Sequence, residues 1–305
     1  MFFRNLTLFR FAENLPRSLK KLPSALDEHR LRPCGPMELA TRGFVSPYGR
    51  DSEEMTHQMG AFILTTIGGE DRLLPSVVVN EELAARLAKI IAKEGRRIGA
   101  KERKQLKEQV ISDLLPRAFI RPSRLSAYLD AENGWLVIDT ASRKGAEEAL
   151  DQFRTAMGRF PAVPAAPENS PRTVMTDWLI HGKLPKGLAF ADECELRDPA
   201  EAGAVVRCRR QDLESDEVRE HLKSGKQVFQ LGLVFDERVG FVLGEDLVVR
   251  KLRFLDLVLD ELDEDAAESV KAEVDARFAL MSLELRRLLD SMDEWFGLPR
   301  PGERE

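Results

Sequence analysis

One stretch of the sequence concentrates the side chains best suited to neutralising phosphate groups. Residues 86 to 124 contain twelve Lys or Arg against four acids, a net charge of +8, although the whole chain of 305 residues has a formal net charge of -6. The other residues therefore carry -14, the difference between those two values. Such a polarised chain predicts a polyanionic partner for its positive segment, most simply a nucleic acid, while the acidic remainder limits contact elsewhere.

The apolar residues in and around this segment follow helical spacing. Asn80 is a predicted N-cap, Gly95 and Gly99 predict a turn, and Pro116 predicts the end of the second helix. The two predicted apolar stripes are Leu83, Leu87, Ile90 and Ile91, then Leu106, Val110, Ile111, Leu114 and Leu115. Helices packed stripe to stripe form an αα-hairpin, so the sequence predicts a basic helical finger over residues 80–115.

The basic residues of the finger and its continuation are the candidate DNA contacts. They are Lys89, Lys93, Arg96, Arg97, Lys101, Arg103, Lys104, Lys107, Arg117 and Arg121. A smaller cluster, Arg207, Arg209 and Arg210 with Gln211, lies on a predicted strand and could add phosphate contacts. A charged helix is also typical of a merely solvated face. No groove-reading module is recognisable, so base-specific contacts are not expected.

Motifs for catalysis or metal binding are missing from the sequence. No phosphate-binding G-x-x-x-x-G-K-[ST] motif occurs, and His29, His57, His181 and His221 are scattered, which predicts exposed or capping histidines. Residues 191–198, "ADECELRD", are interpreted as a solvated charged turn. We therefore expect a non-enzyme with no catalytic residues, metal or cofactor.

Cysteine usage and hydropathy indicate the compartment. Cys34, Cys194 and Cys208 are odd in number and form no C-x-x-C pair, as in a protein whose cysteines stay reduced. The apolar N-terminus is interrupted by charges, and no run approaches a membrane span. The expected localisation is cytoplasmic, with no membrane partner.

The remaining pattern predicts an α+β fold with antiparallel sheets and segregated helices. Gly68-Gly69, between two apolar runs, predicts a hairpin turn. Four prolines within 161–171 predict a domain boundary, followed by a three-stranded meander over 226–256 and a long helix over 265–296. The predicted domains are a central α+β domain (1–79 and 116–165), a helical tip (80–115) and a base α+β domain (166–305).

Seven short motifs, taken in order, resemble the RdgC family of bacterial recombination-associated proteins. They are "PCGP" at 33–36, "LLPSVVV" at 73–79, "LLPRAF" at 114–119, "VIDTAS" at 137–142, "ENSP" at 168–171, "RRQDL" at 209–213 and "RKLRFLD" at 250–256. The resemblance extends from residue 1 to about residue 296, and the motifs together are more specific than any one of them.

The resemblance implies a nucleoid-associated, ring-shaped homodimer with a basic central hole. Such rings bind duplex and single-stranded DNA with little sequence preference and restrain RecA recombinase by competing for DNA. Carried onto this sequence, the finger cations would line or flank the hole, Arg210 and Gln211 would face it, and Phe119 would lie at a subunit contact or near DNA. An alternative stays open, in which the protein is a scaffold or inhibitor whose basic finger docks on an acidic protein partner.

Overall fold

The computed structural model describes residues 2–12, 19–200, 203–262 and 269–300 of the chain. These residues form two compact units. The larger unit draws on Met1–Glu28, Ser46–Thr66 and Leu125–Glu305, and the smaller unit on His29–Val45 and Ile67–Arg124. The smaller unit contains the predicted finger together with segments that precede and follow it in the sequence. The three domain boundaries drawn from the sequence stay a prediction.

Twelve strands of the described residues form two sheets. The first sheet has the order β2-β4-β5-β6-β1-β7, with β3 beside β4, and the second has the order β12-β11-β10-β8-β9. The first comprises β1 Thr7–Phe11, β2 Ala40–Val45, β3 Thr56–Met59, β4 Phe62–Leu73, β5 Phe119–Asp130, β6 Trp135–Ile138 and β7 Ala162–Pro164. The second comprises β8 Leu188–Arg197, β9 Val205–Arg209, β10 Gln227–Phe235, β11 Val239–Gly244 and β12 Val249–Phe254.

Eight α-helices accompany these sheets within the described residues. They are α1 Leu22–Glu28, α2 Ser76–Glu94, α3 Ala100–Leu114, α4 Arg143–Met157, α5 Pro171–His181, α6 Asp216–Lys223, α7 Asp256–Leu259 and α8 Val270–Phe296. A 3-10 turn, Leu115–Arg117, follows α3. The predicted α+β class with antiparallel sheets is confirmed, as are the meander of β10, β11 and β12 and the finger's two helices. Part of the predicted long helix, residues 265–268, lies outside the described residues.

The hairpin turn predicted at Gly68-Gly69 is wrong, because both glycines lie inside the continuous strand β4. A Cβ on Gly68 would come within 2.6 Å of Val45 Cγ1, and one on Gly69 within 2.6 Å of Ser123 Oγ. Glycine is used here for close approach of neighbouring side chains rather than for a turn. The turn lies earlier, at Gly60 with φ of 57°, where Met59 pairs with Phe62.

The first finger helix begins earlier than predicted. Pro75 occupies the N-cap position and Ser76 begins α2, so Asn80, the predicted cap, lies inside the helix. Val77 and Val78, part of the apolar run after the predicted hairpin turn, lie in its first turn and are 71% and 46% exposed. Proline fixes the φ of a helix start, and this local constraint overrides the β propensity of the valines.

The charged turn predicted at 191–198 is also wrong, because most of this segment belongs to strand β8. Its Glu195 is buried and accepts hydrogen bonds from Arg197 Nε at 2.6 Å and Arg207 Nε at 2.7 Å. Pairing with β9 places Arg207 opposite Glu195, and Arg197 lies two residues further along β8 itself. A charged sequence forms an internal strand here because arginines of the same strand and of the neighbouring strand satisfy the buried charge.

One histidine departs from its prediction as well. His57 is buried, whereas exposed or capping histidines were expected. Its Nδ1 lies 2.6 Å from the Tyr48 hydroxyl, and its ring packs edge-on against Phe278. Burial lowers the pKa of His57, so the neutral imidazole is favoured and can accept the Tyr48 hydrogen bond.

The proline-rich stretch predicted as a boundary contains a strand. Ala162–Pro164 forms β7 and pairs with β1, Phe9 opposite Pro164. Proline is tolerated there because β7 is the last strand in its sheet and needs few ladder donors. Both sides of the stretch belong to the larger unit.

The core of the larger unit is built around α8. Its buried apolar side chains recur at three- and four-residue spacing: Phe278, Met281, Leu285, Leu288, Leu289, Met292 and Phe296. They join one cluster with apolar residues of both sheets, including Tyr128 of β5 and Leu231 of β10. An apolar stripe of this width needs neighbours on more than one side, which the two sheets supply.

A charged contact accompanies this apolar stripe. Arg286 of α8 donates two hydrogen bonds to Asp130, from Nη2 to Oδ1 at 2.8 Å and from Nε to Oδ2 at 3.0 Å. The Asp130 side chain is 2% exposed, and the Arg286 guanidinium also lies over the Phe62 ring, 4.2 Å from its centroid. The bidentate geometry compensates the burial of the carboxylate.

Replacing Arg286 by Met should lower the free energy of unfolding by about 3 kcal/mol, because it leaves the buried Asp130 carboxylate without its cation. Urea unfolding followed by tryptophan fluorescence measures this change. The double variant Arg286→Met with Asp130→Asn is the control and should recover part of the loss. A single variant as stable as the parent would show that the pair does not support α8.

Candidate nucleic-acid interface

The two helices of the basic hairpin, α2 and α3, are held together by a small apolar cluster. Val79, Leu83 and Val110 are its buried members. Partly buried residues packed against them are Leu74, Leu87, Leu106, Ile111 and Leu114. The predicted stripes therefore meet, except that Ile91 of the first stripe is 48% exposed. So few buried side chains leave most of each helix surface in contact with solvent.

Arg86 links the two helices of the hairpin. Its Nε donates to Glu82 on the same helix at 2.8 Å, and its Nη1 donates to Asp113 of α3 at 2.7 Å. The hydrogen bonds to Glu82 and Asp113 raise the pKa of Arg86. Arg86 is therefore occupied by intramolecular pairing.

Arg96, in the turn between the helices, is occupied in the same way. Its Nη1 and Nη2 each donate to the Glu102 carboxylate at 2.7 Å, and its Nε donates to Glu94 at 2.7 Å. Gly95 starts the turn in the left-handed conformation, with φ of 65°, and its N–H donates to Ile91 O at 2.9 Å. Arg96 thus closes the turn that connects α2 to α3, and its predicted contact with DNA stays a prediction.

This pairing leaves the other cations of the hairpin without acidic partners. Nine Lys or Arg lie between residues 86 and 107, and the acids of that interval, Glu94 and Glu102, both pair with Arg96. Within the described chain, seven of the nine cations have no carboxylate within 4.0 Å and are exposed: Lys89, Lys93, Arg97, Lys101, Arg103, Lys104 and Lys107. Two cations of the hairpin are thus paired with acids and seven are not.

The unpaired cations follow the helix repeat. Lys89 and Lys93 are four residues apart on α2, as are Arg103 and Lys107 on α3. Residues at this spacing lie on the same helix face, where like charges repel and weaken an isolated helix. An external polyanion would remove this repulsion, since each phosphate it brings pairs with a cation.

An exposed aromatic residue follows the hairpin. Phe119 begins β5 and is 83% exposed, with Ile120 beside it at 41%. Arg117 and Arg121, both predicted contacts, are exposed on either side, and Arg121 lies 3.9 Å from Asp71. An aromatic ring this exposed between cations suits a protein or nucleic-acid contact better than a solvated surface.

Arg72 of β4 fixes the chain between the hairpin and Phe119. Its guanidinium donates to Leu115 O at 3.0 Å and Ala118 O at 3.2 Å, and on its other side to Gly35 O at 3.2 Å. These carbonyls belong to the 3-10 turn and to a loop before β2. Sequence reasoning missed Arg72, because nothing local distinguishes it from a surface arginine.

Arg210 and Gln211, the other two predicted contacts, belong to the larger unit. They follow β9 and line an open cleft of about 830 Å³ together with Phe190 and Leu213. Arg210 is exposed and has a positive φ of 53°, whereas Gln211 Nε2 donates to Glu217 at 3.3 Å. Arg210 is therefore presented to solvent while Gln211 is partly engaged.

The smaller basic cluster also contains both a paired and an unpaired arginine. Arg207 pairs with the buried Glu195 at 2.7 Å, whereas Arg209, on the same strand, is exposed with no carboxylate within 4.0 Å in the described chain.

In the part of the chain that the structure describes, no three His, Cys, Asp or Glu side chains converge as ligands for a metal ion. None of the described helices is long and apolar enough to cross a bilayer.

These features define a mixed α/β protein whose most distinctive surface is an unpaired basic helical hairpin beside an exposed phenylalanine. The family model described as "RdgC: Putative exonuclease, RdgC" matches residues 1–298. The chain belongs to the RdgC family.

Curated relatives agree with this assignment. The Recombination-associated protein RdgC of Xanthomonas campestris pv. campestris (strain B100) is 49% identical over 289 residues, covering 94% of this chain and 95% of that protein. The proteins of the same name from Xanthomonas oryzae pv. oryzae (strain MAFF 311018) and Xylella fastidiosa (strain 9a5c) are each 48% identical with the same coverage. The similarity therefore spans nearly the whole chain, as the resemblance of short motifs predicted.

Replacing Arg72 by Lys should loosen the chain before Phe119, because a single ammonium cannot reach carbonyls on both sides. Loss of about 2 kcal/mol of charged hydrogen bonding corresponds to roughly 30-fold faster local opening. Hydrogen–deuterium exchange of a peptide covering 115–120 measures it. Arg121→Lys is the matched control, since the distant Asp71 is the only acid near Arg121 among the described residues. Equal exchange in both variants would contradict the role given to Arg72.

Proposed function

We propose that this RdgC-family protein binds DNA without sequence preference through the basic hairpin. The observation that carries the proposal is the set of seven exposed cations without acidic partners, beside two arginines whose acids hold the hairpin together. The relatives' name, recombination-associated protein, places this family in a process whose substrate is DNA.

The chemistry of these cations favours the backbone over the bases. Five of the seven are lysines, which act as flexible point charges, and Arg97 and Arg103 are the exceptions. Each phosphate that pairs with a cation releases condensed counterions, so affinity should fall steeply with salt and vary little with sequence. Arg210, exposed in the larger unit, would add a phosphate contact.

Single-stranded DNA would bind to the same cations with a further contribution from Phe119. Bases of a single strand are free to stack on an exposed aromatic ring, whereas those of a duplex are already stacked. Arg117 and Arg121 flank this ring and would hold the adjacent phosphates. Phe119 would therefore lie either against DNA or against a second subunit.

We further propose that two copies form a closed ring around duplex DNA. An exposed phenylalanine next to the exposed Ile120 supports a subunit contact, because burying both removes apolar surface from water. A ring holds DNA topologically, since release requires a subunit interface to open. Occupied DNA is unavailable to RecA, which is how such a protein would restrain recombination on the nucleoid in the cytoplasm.

This function requires no turnover. DNA binding, ring closure and competition with RecA use charge and apolar contact alone, so we propose a non-enzyme despite the exonuclease in the family model's description. The absence of cleavage after incubating DNA with the protein and Mg²⁺ is the expected result.

The DNA-binding proposal predicts a loss of salt dependence when unpaired cations are neutralised. The variant Lys93→Gln, Arg97→Gln, Lys101→Gln, Lys104→Gln removes four charges, and the slope of log affinity against log salt should shrink by about 3 to 4 if each contacts a phosphate. Fluorescence anisotropy with two unrelated duplexes over a salt series measures affinity, slope and sequence preference together.

The matched control is Arg96→Gln with Glu102→Gln, which removes an ion pair and leaves the net charge unchanged. It should keep the parental salt slope, and circular dichroism checks that both variants retain their helices. If the parent binds neither duplex at low salt, the DNA proposal fails and an acidic protein becomes the expected partner of the hairpin.

The ring proposal predicts that Phe119→Ala weakens self-association. Light scattering after size exclusion should show the parent at twice the chain mass and a larger monomer fraction in the variant, because a buried phenylalanine contributes about 2 to 3 kcal/mol. Val270→Ala is the control, since Val270 is 59% exposed at the start of α8. Identical masses and DNA affinities for the parent and Phe119→Ala would refute both roles given to this residue.

A further inference from the structure

Two of the three cysteines lie directly opposite each other in the second sheet. Cys194 of β8 pairs with Cys208 of β9, between the pairs Glu193 with Arg209 and Glu195 with Arg207. Residues opposite in an antiparallel pair point to the same face, with Cα atoms about 4.5 to 5.5 Å apart. A disulfide accepts Cα separations of about 4.4 to 6.8 Å, so the bridge would fit this register without moving a strand.

The surroundings of the two thiols differ. Cys194 is buried in the core of the larger unit, and Cys208, which packs against that core, is partly exposed. Burial, together with the neighbouring Cys208 thiol, raises the pKa of Cys194. Oxidation would therefore begin at Cys208, which a small oxidant can reach, and be completed by Cys194 from the protected side.

We propose that Cys194 and Cys208 form a redox pair that a peroxide converts into a cross-strand disulfide. The Cys208 thiol loses its proton, and the thiolate attacks an oxygen of hydrogen peroxide. The O–O bond breaks, Cys208 becomes a sulfenic acid, and the leaving hydroxide takes up the proton to form water. The Cys194 sulfur then attacks the sulfenic sulfur, the S–O bond breaks, and the oxygen leaves as a second water with the Cys194 proton. Two thiols and one peroxide yield one disulfide and two waters.

The disulfide would link the edge strand of the second sheet covalently to its neighbour. In the described strand order β9 is an edge strand, paired on one side only, with β8. It carries Arg207 and Arg209, and Arg210 follows it directly. A covalent link in mid-strand prevents β9 from separating from β8, so the backbone that presents these arginines becomes more rigid when the pair is oxidised.

Cys34 provides an internal contrast. It is buried in the smaller unit, and its Sγ donates to Glu38 O at 3.3 Å. No other cysteine belongs to that unit, which comprises His29–Val45 and Ile67–Arg124. Cys34 should therefore remain a thiol under conditions that oxidise the Cys194 and Cys208 pair.

The test is mass spectrometry of the full-length reduced protein after exposure to hydrogen peroxide. Remaining thiols are alkylated under denaturing conditions, and the protein is digested. The expected product is a peptide containing Cys194 disulfide-bonded to one containing Cys208, from protein of single-chain mass on a non-reducing denaturing gel, with Cys34 alkylated. Hydrogen–deuterium exchange of residues 205–209 should then be several-fold slower in the oxidised protein.

The variant Cys208→Ser is the control, because its partly exposed position tolerates the smaller hydroxyl. It should give no cross-linked peptide, an alkylated Cys194 and no slowing of exchange after peroxide. Sulfinic or sulfonic acid at Cys208 beside an alkylated Cys194, or a disulfide between two chains, would overturn the proposal. The chemistry does not depend on DNA binding, so this test and the salt titration can fail separately.

Discussion

Burial of the apolar side of α8 is the constraint on which the larger unit depends. Its seven buried apolar residues from Phe278 to Phe296 need apolar neighbours along a helix of 27 residues, and strands of both sheets supply them. The Arg286 and Asp130 pair lies on the same helix, where the bidentate contact compensates a carboxylate that has lost its water. The unit therefore combines a wide apolar interface with buried carboxylates that arginines satisfy, Glu195 of β8 as well as Asp130.

In the smaller unit, ion pairs supplement a small apolar cluster in holding the hairpin together. Its hairpin has three buried side chains, too few to offset much repulsion, yet it carries nine cations between residues 86 and 107. Arg86 and Arg96 solve the folding problem by tying the helices and the turn with Glu82, Asp113, Glu94 and Glu102. Two arginines thus stabilise the hairpin, and the other seven cations have no acidic partner in the described chain.

The difference between paired and unpaired cations helps to distinguish a solvated helix face from a binding face. A solvated face would show cations and acids paired across the surface at four-residue spacing, whereas here seven exposed cations on both sides of the turn have no carboxylate within 4.0 Å in the described chain. Phe119 adds an apolar element to the same unit, placed by Arg72 through carbonyls of the preceding turn. Charge and an aromatic ring on one unit are the combination that backbone binding and subunit contact both use.

The sequence by itself determined the features that depend on local pattern. Apolar spacing located the hairpin helices and α8, alternation located the meander, and the charge count located the basic segment. Family membership also followed from sequence, because short motifs at fixed spacing were enough to suggest it and whole-chain similarity established it.

Only the tertiary structure decided the features that depend on distant partners. Gly68 and Gly69 signal a turn locally, but close approach of Val45 and Ser123 keeps them in a strand. The acidic segment of β8 becomes internal because Arg207 reaches Glu195, and Arg96 is paired within the turn because Glu102 accepts its hydrogen bonds. Packing and ion pairing couple residues that sequence pattern treats separately, so which cations stay free is a property of the folded chain.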